Sequence, residues 1–227
     1  MTKRKFALLL ILAAVAGAQE AAPGFGQRMK QNAEDLKQYS YKRRMQIMVK
    51  DRSTTRVDLI RYVDGKMETV PLETPQRGDG QAGGRGLRGR RMGKKLEKKK
   101  EEMKEEVEEL TSLLQRYSPG SDSMHSALEK ATISRAGSGP NADVKVEAKG
   151  IIESNDSFSL VWSVANRRPT NIDIHASLNG KPVRVAIDYA SLPDGPFYAA
   201  HTVVSAPGKD LTVNIDTFDY MRSAVAQ

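Results

Sequence analysis

The sequence predicts an α+β fold in which about nine antiparallel strands form one curved sheet, with two or three helices packed on its concave face. Nine segments alternate apolar and polar side chains, which is typical of a sheet that is buried on one side only. The dipeptides Asp64-Gly65 and Asn179-Gly180 favour two-residue hairpin turns. Because so wide a sheet curls, amphipathic helices can cover its apolar concave face.

Two or three helices are predicted before the main run of strands, and the first two are amphipathic. The first extends from Met29 to Gln38. A longer helix begins at Lys94 and ends at Pro119-Gly120, and a short third one covers Met124 to Ile133. The long helix has one apolar stripe, formed by Leu96, Met103, Val107, Leu110, Leu114 and Tyr117.

The nine strand-like segments are residues 39–50, 56–63, 66–72, 144–152, 158–164, 172–178, 183–189, 197–205 and 211–220. In the first segment the alternation breaks only at Arg43. In the second segment Val57, Leu59 and Val63 lie in phase, which indicates that they form its apolar face. Four aspartates of the predicted strands are expected on the outer face of the sheet: Asp173, Asp188, Asp216 and Asp219.

The N-terminus has the pattern of a cleavable signal peptide. Three basic residues within Met1–Lys5 precede the apolar run Phe6–Ala18, which ends in the small residues Ala16-Gly17-Ala18. The apolar run is about 20 Å long as a helix, too short for the ~30 Å hydrocarbon core of a membrane. We therefore expect residues 1–18 to be removed and the mature chain to be periplasmic.

The rest of the chain is predicted to be a flexible leader at 19–28 and a single domain at 29–227. Within that domain, residues 77–93 are rich in Gly and Arg and predict a disordered loop. Ten basic and two acidic residues lie between Arg77 and Lys100. This segment is either a solvated loop or a contact for an anionic surface. Since the chain is exported, we expect no nucleic-acid partner.

The sequence shows no catalytic or metal-binding motif. The chain has no cysteine, which excludes disulfides, thiolate zinc sites and a thiol nucleophile. His125, His175 and His201 are not spaced as metal ligands. We therefore expect a protein that is not an enzyme and needs no cofactor; an exported hydrolase is the weakest alternative, since no nucleophile or metal site is recognisable.

One group of residues resembles the periplasmic outer-membrane lipoprotein-sorting or carrier proteins, within a group of exported bacterial proteins. The matching positions are Asn32, Leu36, Tyr39, Ser40, Tyr41, Lys42, Arg44, Ile60, Arg61, Tyr62, Asp64, Gly65 and Lys66. The resemblance implies a half-barrel with helices on its concave side, where the carriers accept acyl chains. It also implies that catalytic residues are lacking.

We therefore expect a monomeric binding protein for a lipid or lipoprotein acyl chain. The expected walls of its apolar cavity are Met45, Ile47, Val49, Phe158, Leu160, Trp162, Ile172 and Ile174. The residues expected to contact an anionic membrane surface are Arg85, Arg88, Arg90, Arg91, Lys94 and Lys95. The alternative is an envelope interaction protein with a filled core, which binds a protein or anionic glycan through the basic loop and long helix.

Overall fold

The computed structural model describes residues 25–50, 52–73, 76–77, 130–137, 142–193 and 195–223, with positions 109–110, 112–113, 116–117 and 126–127. The predicted signal peptide at 1–18, the leader up to residue 24 and residues 78–93 of the Gly/Arg loop lie outside this part of the chain.

One helix and eleven strands make up the described fold. Helix α1 is Phe25–Leu36. The strands are β1 Tyr39–Val49, β2 Arg52–Val63, β3 Lys66–Pro71, β4 Gln76–Arg77, β5 Thr132–Ala136, β6 Asp143–Lys149, β7 Ser157–Ser163, β8 Arg168–Leu178, β9 Lys181–Ser191, β10 Phe197–Ala206 and β11 Leu211–Arg222. A short 3-10 turn, Pro207–Lys209, joins the last two strands.

Ten strands form one continuous path in the order β3-β2-β1-β11-β10-β9-β8-β7-β6-β5, and β4 also pairs with β2. Every neighbouring pair is antiparallel. The sheet is curved and not closed, which confirms the predicted half-barrel sheet. Among the described residues α1 is the one complete helix, so the helices on the concave face remain a prediction.

Both predicted two-residue hairpin turns are present. Asp64 and Gly65 have φ of 52° and 70°, and Asn179 and Gly180 have 55° and 72°. Two consecutive positive φ angles give the turn a twist that matches its flanking strands. These turns therefore set the registers of β2 with β3 and of β8 with β9.

Several element boundaries differ from the prediction, among them those of two helices. Helix α1 begins at Phe25 and ends at Leu36, rather than extending from Met29 to Gln38. Thr132 and Ile133 lie in strand β5 and not in a third helix, because β-branched side chains suit an edge strand and Ile133 pairs with Val146. No helix among the described residues is long and apolar enough to cross a membrane.

The core lies on one face of the sheet and is densest over β6, β7 and β8. Four residues that precede β5 in the chain belong to the same buried cluster: Leu110, Leu113, Tyr117 and Ala127. The first three have helical spacing, and Leu110 and Leu113 are in helical conformation. Burial of Leu110 and Tyr117 agrees with the predicted apolar stripe, whereas Leu113 was not predicted in it.

Tyr117 is attached to the sheet by a buried hydrogen bond. Its hydroxyl donates to Oδ2 of Asp156, a carboxylate that is only 1% exposed. The same oxygen accepts the backbone N–H groups of Ile152 and Glu153, at 3.2 and 2.7 Å. Burial raises the pKa of the Tyr117 phenol, and the hydrogen bond to Asp156 raises it further. The phenol therefore stays a donor at neutral pH and joins residue 117 to the turn between β6 and β7.

Replacing Tyr117 by Phe is expected to lower the free energy of unfolding by about 1–3 kcal/mol, since Asp156 stays buried with one donor fewer. Urea unfolding followed by circular dichroism measures the change. The matched control is Tyr198→Phe, because the Tyr198 hydroxyl makes no hydrogen bond to the described residues. Equal stability of the two variants would contradict an anchoring role for the Tyr117 hydroxyl.

Candidate functional site: one face of the sheet

One row of directly paired residues shows how the burial of side chains on the apolar face changes across the sheet. Residues that pair across antiparallel strands lie on the same face. From β2 to β5 the row contains Arg56, Met45, Ile215, Thr202, Ile187, Ile172, Leu160, Val146 and Ile133. Its members on β6 to β8 are buried, those on β1 and β9 to β11 are half-buried, and Arg56 is exposed.

The half-buried part of this face is called the apolar strip here, and it consists of Met45, Ile47, Val49, Ile187 and Ile215. The strip is continuous with the core, since all five side chains pack against the buried cluster. It differs from the core in retaining contact with solvent. A half-buried apolar surface on the inside of a curved sheet is suited to an apolar ligand.

The eight residues predicted to line a cavity fall into two groups. Five of them lie in the filled core, each at most 7% exposed: Phe158, Leu160, Trp162, Ile172 and Ile174. The other three, Met45, Ile47 and Val49, belong to the apolar strip on β1. The structure thus places all eight on one face, but only those on β1 are accessible from solvent.

At its β2 end the strip meets a buried ion cluster, defined by Arg43, Asp58 and Arg56. Asp58 is fully buried, and its Oδ2 accepts hydrogen bonds from Arg43 Nη2 at 3.0 Å and Arg56 Nε at 2.9 Å. Arg56 Nη2 lies 2.7 Å from the same oxygen. Two guanidinium groups and one carboxylate give this cluster a formal charge of +1. The Arg56 side chain keeps 44% of its surface exposed.

The sequence predicted the wrong buried face for strand β2. Val57, Leu59 and Val63 were expected on the buried face, but Asp58 and Ile60 are the buried residues of this strand. Asp58 pairs directly with Arg43, so charge compensation takes the place of apolar contacts there. The break in alternation at Arg43 was the available signal, because a cation on an otherwise apolar face requires a carboxylate partner.

Three tyrosines lie beside the ion cluster and are called the tyrosine cluster here: Tyr41, Tyr198 and Tyr220. The ring centroids of Tyr41 and Tyr220 are 4.8 Å apart and stacked, and those of Tyr198 and Tyr220 are 4.3 Å apart. Burial raises the pKa of both the Tyr41 and Tyr220 phenols. These rings therefore stay neutral at physiological pH and form an aromatic border next to Arg43.

The outer face of the sheet is polar, as predicted for Asp173, Asp188 and Asp216. Asp173 contacts Arg184 and lies 3.2 Å from His175 Nε2. Asp216 lies 2.7 Å from His201 Nδ1 and accepts from Arg44 Nε at 3.1 Å. Among the described residues no group of three or more His, Asp or Glu side chains could hold a metal ion, and His125 lies outside them.

A separate cavity of about 280 Å³ lies at the end of the sheet, away from the apolar strip. Its lining is largely polar and comes from α1, the β9–β10 loop and the end of β11: Asn32, Asp35, Gln38, Tyr39, Gly195, Pro196 and Arg222. Asn32 is occupied structurally, because its side-chain amide bonds both the carbonyl and the N–H of Phe197 at 2.8 and 2.7 Å. This cavity therefore does not suit an acyl chain.

The predicted contacts with an anionic surface cannot be placed on this geometry. Arg85, Arg88, Arg90, Arg91, Lys94 and Lys95 all lie outside the described residues. Their role stays a prediction from the sequence.

The outer-face ion pairs predict acid sensitivity. The hydrogen bond from Arg184 holds the pKa of Asp173 below 3.8, against the opposing effect of burial. A carboxyl group whose pKa is lower in the folded than in the unfolded state stabilises the fold. Its contribution to the free energy of unfolding is complete above pH 3.8 and is lost as the pH falls through the folded-state pKa. We expect Asp173→Asn to be less stable than the parent protein at pH 7, and the difference to shrink as the pH falls through the folded-state pKa of Asp173.

Urea unfolding at a series of pH values measures this difference. Arg184→Gln serves as the matched variant, because it removes the other partner of the same pair. At neutral pH the double variant should have the same free energy of unfolding as either single variant, because each of them already removes the ion pair. A difference between parent and Asp173→Asn that is independent of pH would contradict the ion-pair explanation.

Comparison with solved structures finds chains of low sequence identity to which this chain is similar. The chain is similar to a domain from Vibrio parahaemolyticus described as an outer membrane lipoprotein-sorting protein, with TM-score 0.45, 12% identity and coverage of 92% of this chain and 94% of that one. It is also similar to a LolA superfamily protein from Nitrosomonas europaea, with TM-score 0.32, 11% identity and coverage of 88% and 94%.

A DUF1329 family protein from Desulfovibrio piger is similar as well, with TM-score 0.36, 11% identity and coverage of 90% and 93%. No protein-family model and no curated protein sequence matches the chain. At TM-scores below 0.5 these likenesses do not indicate what this chain binds.

Proposed function

We propose that this chain is an exported, non-enzymatic binding protein for the acyl chain of a lipid or lipoprotein. The observation that supports the proposal is the apolar strip, a half-buried aliphatic surface that continues a filled core on the inner face of the sheet. Its residues are Met, Ile and Val, whose side chains offer no polar group to a ligand.

The strip can supply enough binding energy for a lipid-like ligand. Transfer of a methylene from water to an apolar surface contributes about 0.8 kcal/mol. A ligand that buries ten methylenes therefore gains roughly 8 kcal/mol before the costs of association are subtracted. Four strands contribute to the strip or lie between its members, namely β1, β11, β10 and β9. At about 4.8 Å between neighbouring strands, this width accommodates an extended chain.

The basic loop at 77–93 and the lysines after it have a second role in this proposal. Their predicted function is to hold the protein at an anionic membrane surface, with about 1 kcal/mol per basic residue near that surface. Such an attraction weakens as the salt concentration rises.

A filled core favours the alternative of an envelope interaction protein. Five of the eight predicted cavity residues are fully packed beneath residues 110, 113, 117 and 127. On this alternative the sheet is a scaffold, and the basic loop and long helix bind a protein or an anionic glycan. The two functions differ in whether an acyl chain binds the apolar strip.

We expect Met45→Gln to weaken acyl-chain binding about tenfold, because an amide replaces a thioether of similar length on the apolar strip and about 1.4 kcal/mol corresponds to a factor of ten. The mature protein is purified gently from its own cell envelope and its lipid adducts are weighed by native mass spectrometry. Affinity for a fluorescent long-chain amphiphile is then titrated for each variant.

Met48→Gln is the matched control, since Met48 is also half-buried on β1 but points to the opposite face. The control should keep the parent affinity. An apo mass together with no measurable binding of the amphiphile would overturn the acyl-chain proposal and leave the interaction protein. Unchanged affinity in Met45→Gln, or an equal loss in both variants, would contradict binding on this face.

A further inference from the structure

The ion cluster of Arg43, Asp58 and Arg56 has more positive charge than its own stability requires. One arginine would neutralise Asp58, yet two guanidinium groups contact the same Oδ2. Neither arginine has a second carboxylate partner among the described residues. The surplus positive charge therefore lies next to an apolar surface, on an arginine whose side chain stays 44% exposed.

The cluster is also incompletely hydrogen-bonded. Asp58 Oδ1 and Arg43 Nε are buried and have no hydrogen-bond partner among the described residues. A buried polar atom without a partner costs about 1–3 kcal/mol. Such groups are rare in folded proteins, and one explanation for them is a functional role.

The position of Arg56 indicates what that role is. Arg56 pairs directly with Met45, so its exposed guanidinium lies at one end of the apolar strip. Its contacts with Asp58 are the hydrogen bond from Nε and the ion pair of Nη2, and a guanidinium has five N–H donors. Arg56 thus keeps donors available in a group that Asp58 already holds in place. Tyr41 and Tyr220 border the cluster on its other side along the sheet.

We propose that Arg43 and Arg56 form a headgroup site for an acyl-chain ligand that carries an anionic phosphate or carboxylate. This inference rests on the proposed function, since the acyl chain would lie along the apolar strip with its charged end at Arg56. Guanidinium groups bind phosphate and carboxylate oxygens through pairs of N–H donors, so the bound anion neutralises the surplus charge. Asp58 is a positioning residue, which orients both guanidinium groups toward the ligand.

The test compares two lipids that have identical acyl chains, anionic phosphatidylglycerol and zwitterionic phosphatidylcholine. Full-length mature protein is titrated with each, and binding is measured by native mass spectrometry and by displacement of a neutral fluorescent amphiphile. The parent protein is expected to bind phosphatidylglycerol at least tenfold more tightly. Arg56→Gln is expected to bind both lipids with similar affinity, because Arg43 alone is neutralised by Asp58.

Arg61→Gln is the matched control. Arg61 lies on the same strand, is also paired with a carboxylate, at 3.0 Å from Glu68, and points to the opposite face. It should keep the preference for the anionic lipid. Arg56→Lys retains the charge and the pairing with Asp58 but lacks the fork of donors, so its preference should be intermediate. If Arg56→Gln does not fold, Arg56→Lys tests the proposal on its own.

The outcomes separate this inference from the proposed function. If neither lipid binds, both fail. If the parent binds both lipids equally, or if Arg61→Gln loses the preference as Arg56→Gln does, the headgroup site is overturned and acyl-chain binding stands. Inorganic phosphate is then added as a competitor. If it displaces the anionic lipid, the result supports the headgroup site. If phosphate binds and no lipid does, the ligand of the site is a free anion and the lipid assignment is overturned.

Discussion

Ten residues of β1 pair with β11, and the rest of the sheet depends on that pairing. It joins strands from opposite ends of the chain, Tyr39–Val49 and Leu211–Arg222, which connects the first three strands to the seven-strand meander of β5 to β11. Without it β1 would lack a hydrogen-bonded neighbour on one side, and β1 to β3 would be separated from the rest of the sheet. Closing so long a loop costs entropy that apolar contacts such as Ile47 with Val213 must offset.

This pairing also creates the gradient of burial on the inner face. Met45 and Ile47 come from β1, whereas Ile187 comes from the meander, so the apolar strip exists only when the two parts are joined. Over β6 to β8 the same face is covered by Leu110, Leu113, Tyr117 and Ala127. The inner surface over β6 to β8 is thus a protein core that extends to Val185, Val204 and Val213, and solvent contact is retained at the apolar strip.

The sequence predicted local features well because they depend on neighbouring residues. Asp64-Gly65 and Asn179-Gly180 favour positive φ angles wherever they occur, and alternation within a strand depends on that strand alone. The face of β2 was predicted wrongly for a non-local reason. Asp58 is buried because Arg43 on another strand compensates its charge, and a single strand does not show its cross-strand partner.

The ion cluster can be compared with a simpler structural role, that of fixing the register of β1 and β2. A shift of one residue would move Arg43 to the opposite face and remove its hydrogen bond to the buried Asp58, so the pair of Arg43 and Asp58 does specify the register. That role requires one arginine only. Arg56 adds a second cation on the accessible side, at the end of an aliphatic surface, where it adds nothing to the specification of register. Register specificity therefore explains Arg43 and Asp58 but not Arg56, and an anionic ligand accounts for all three.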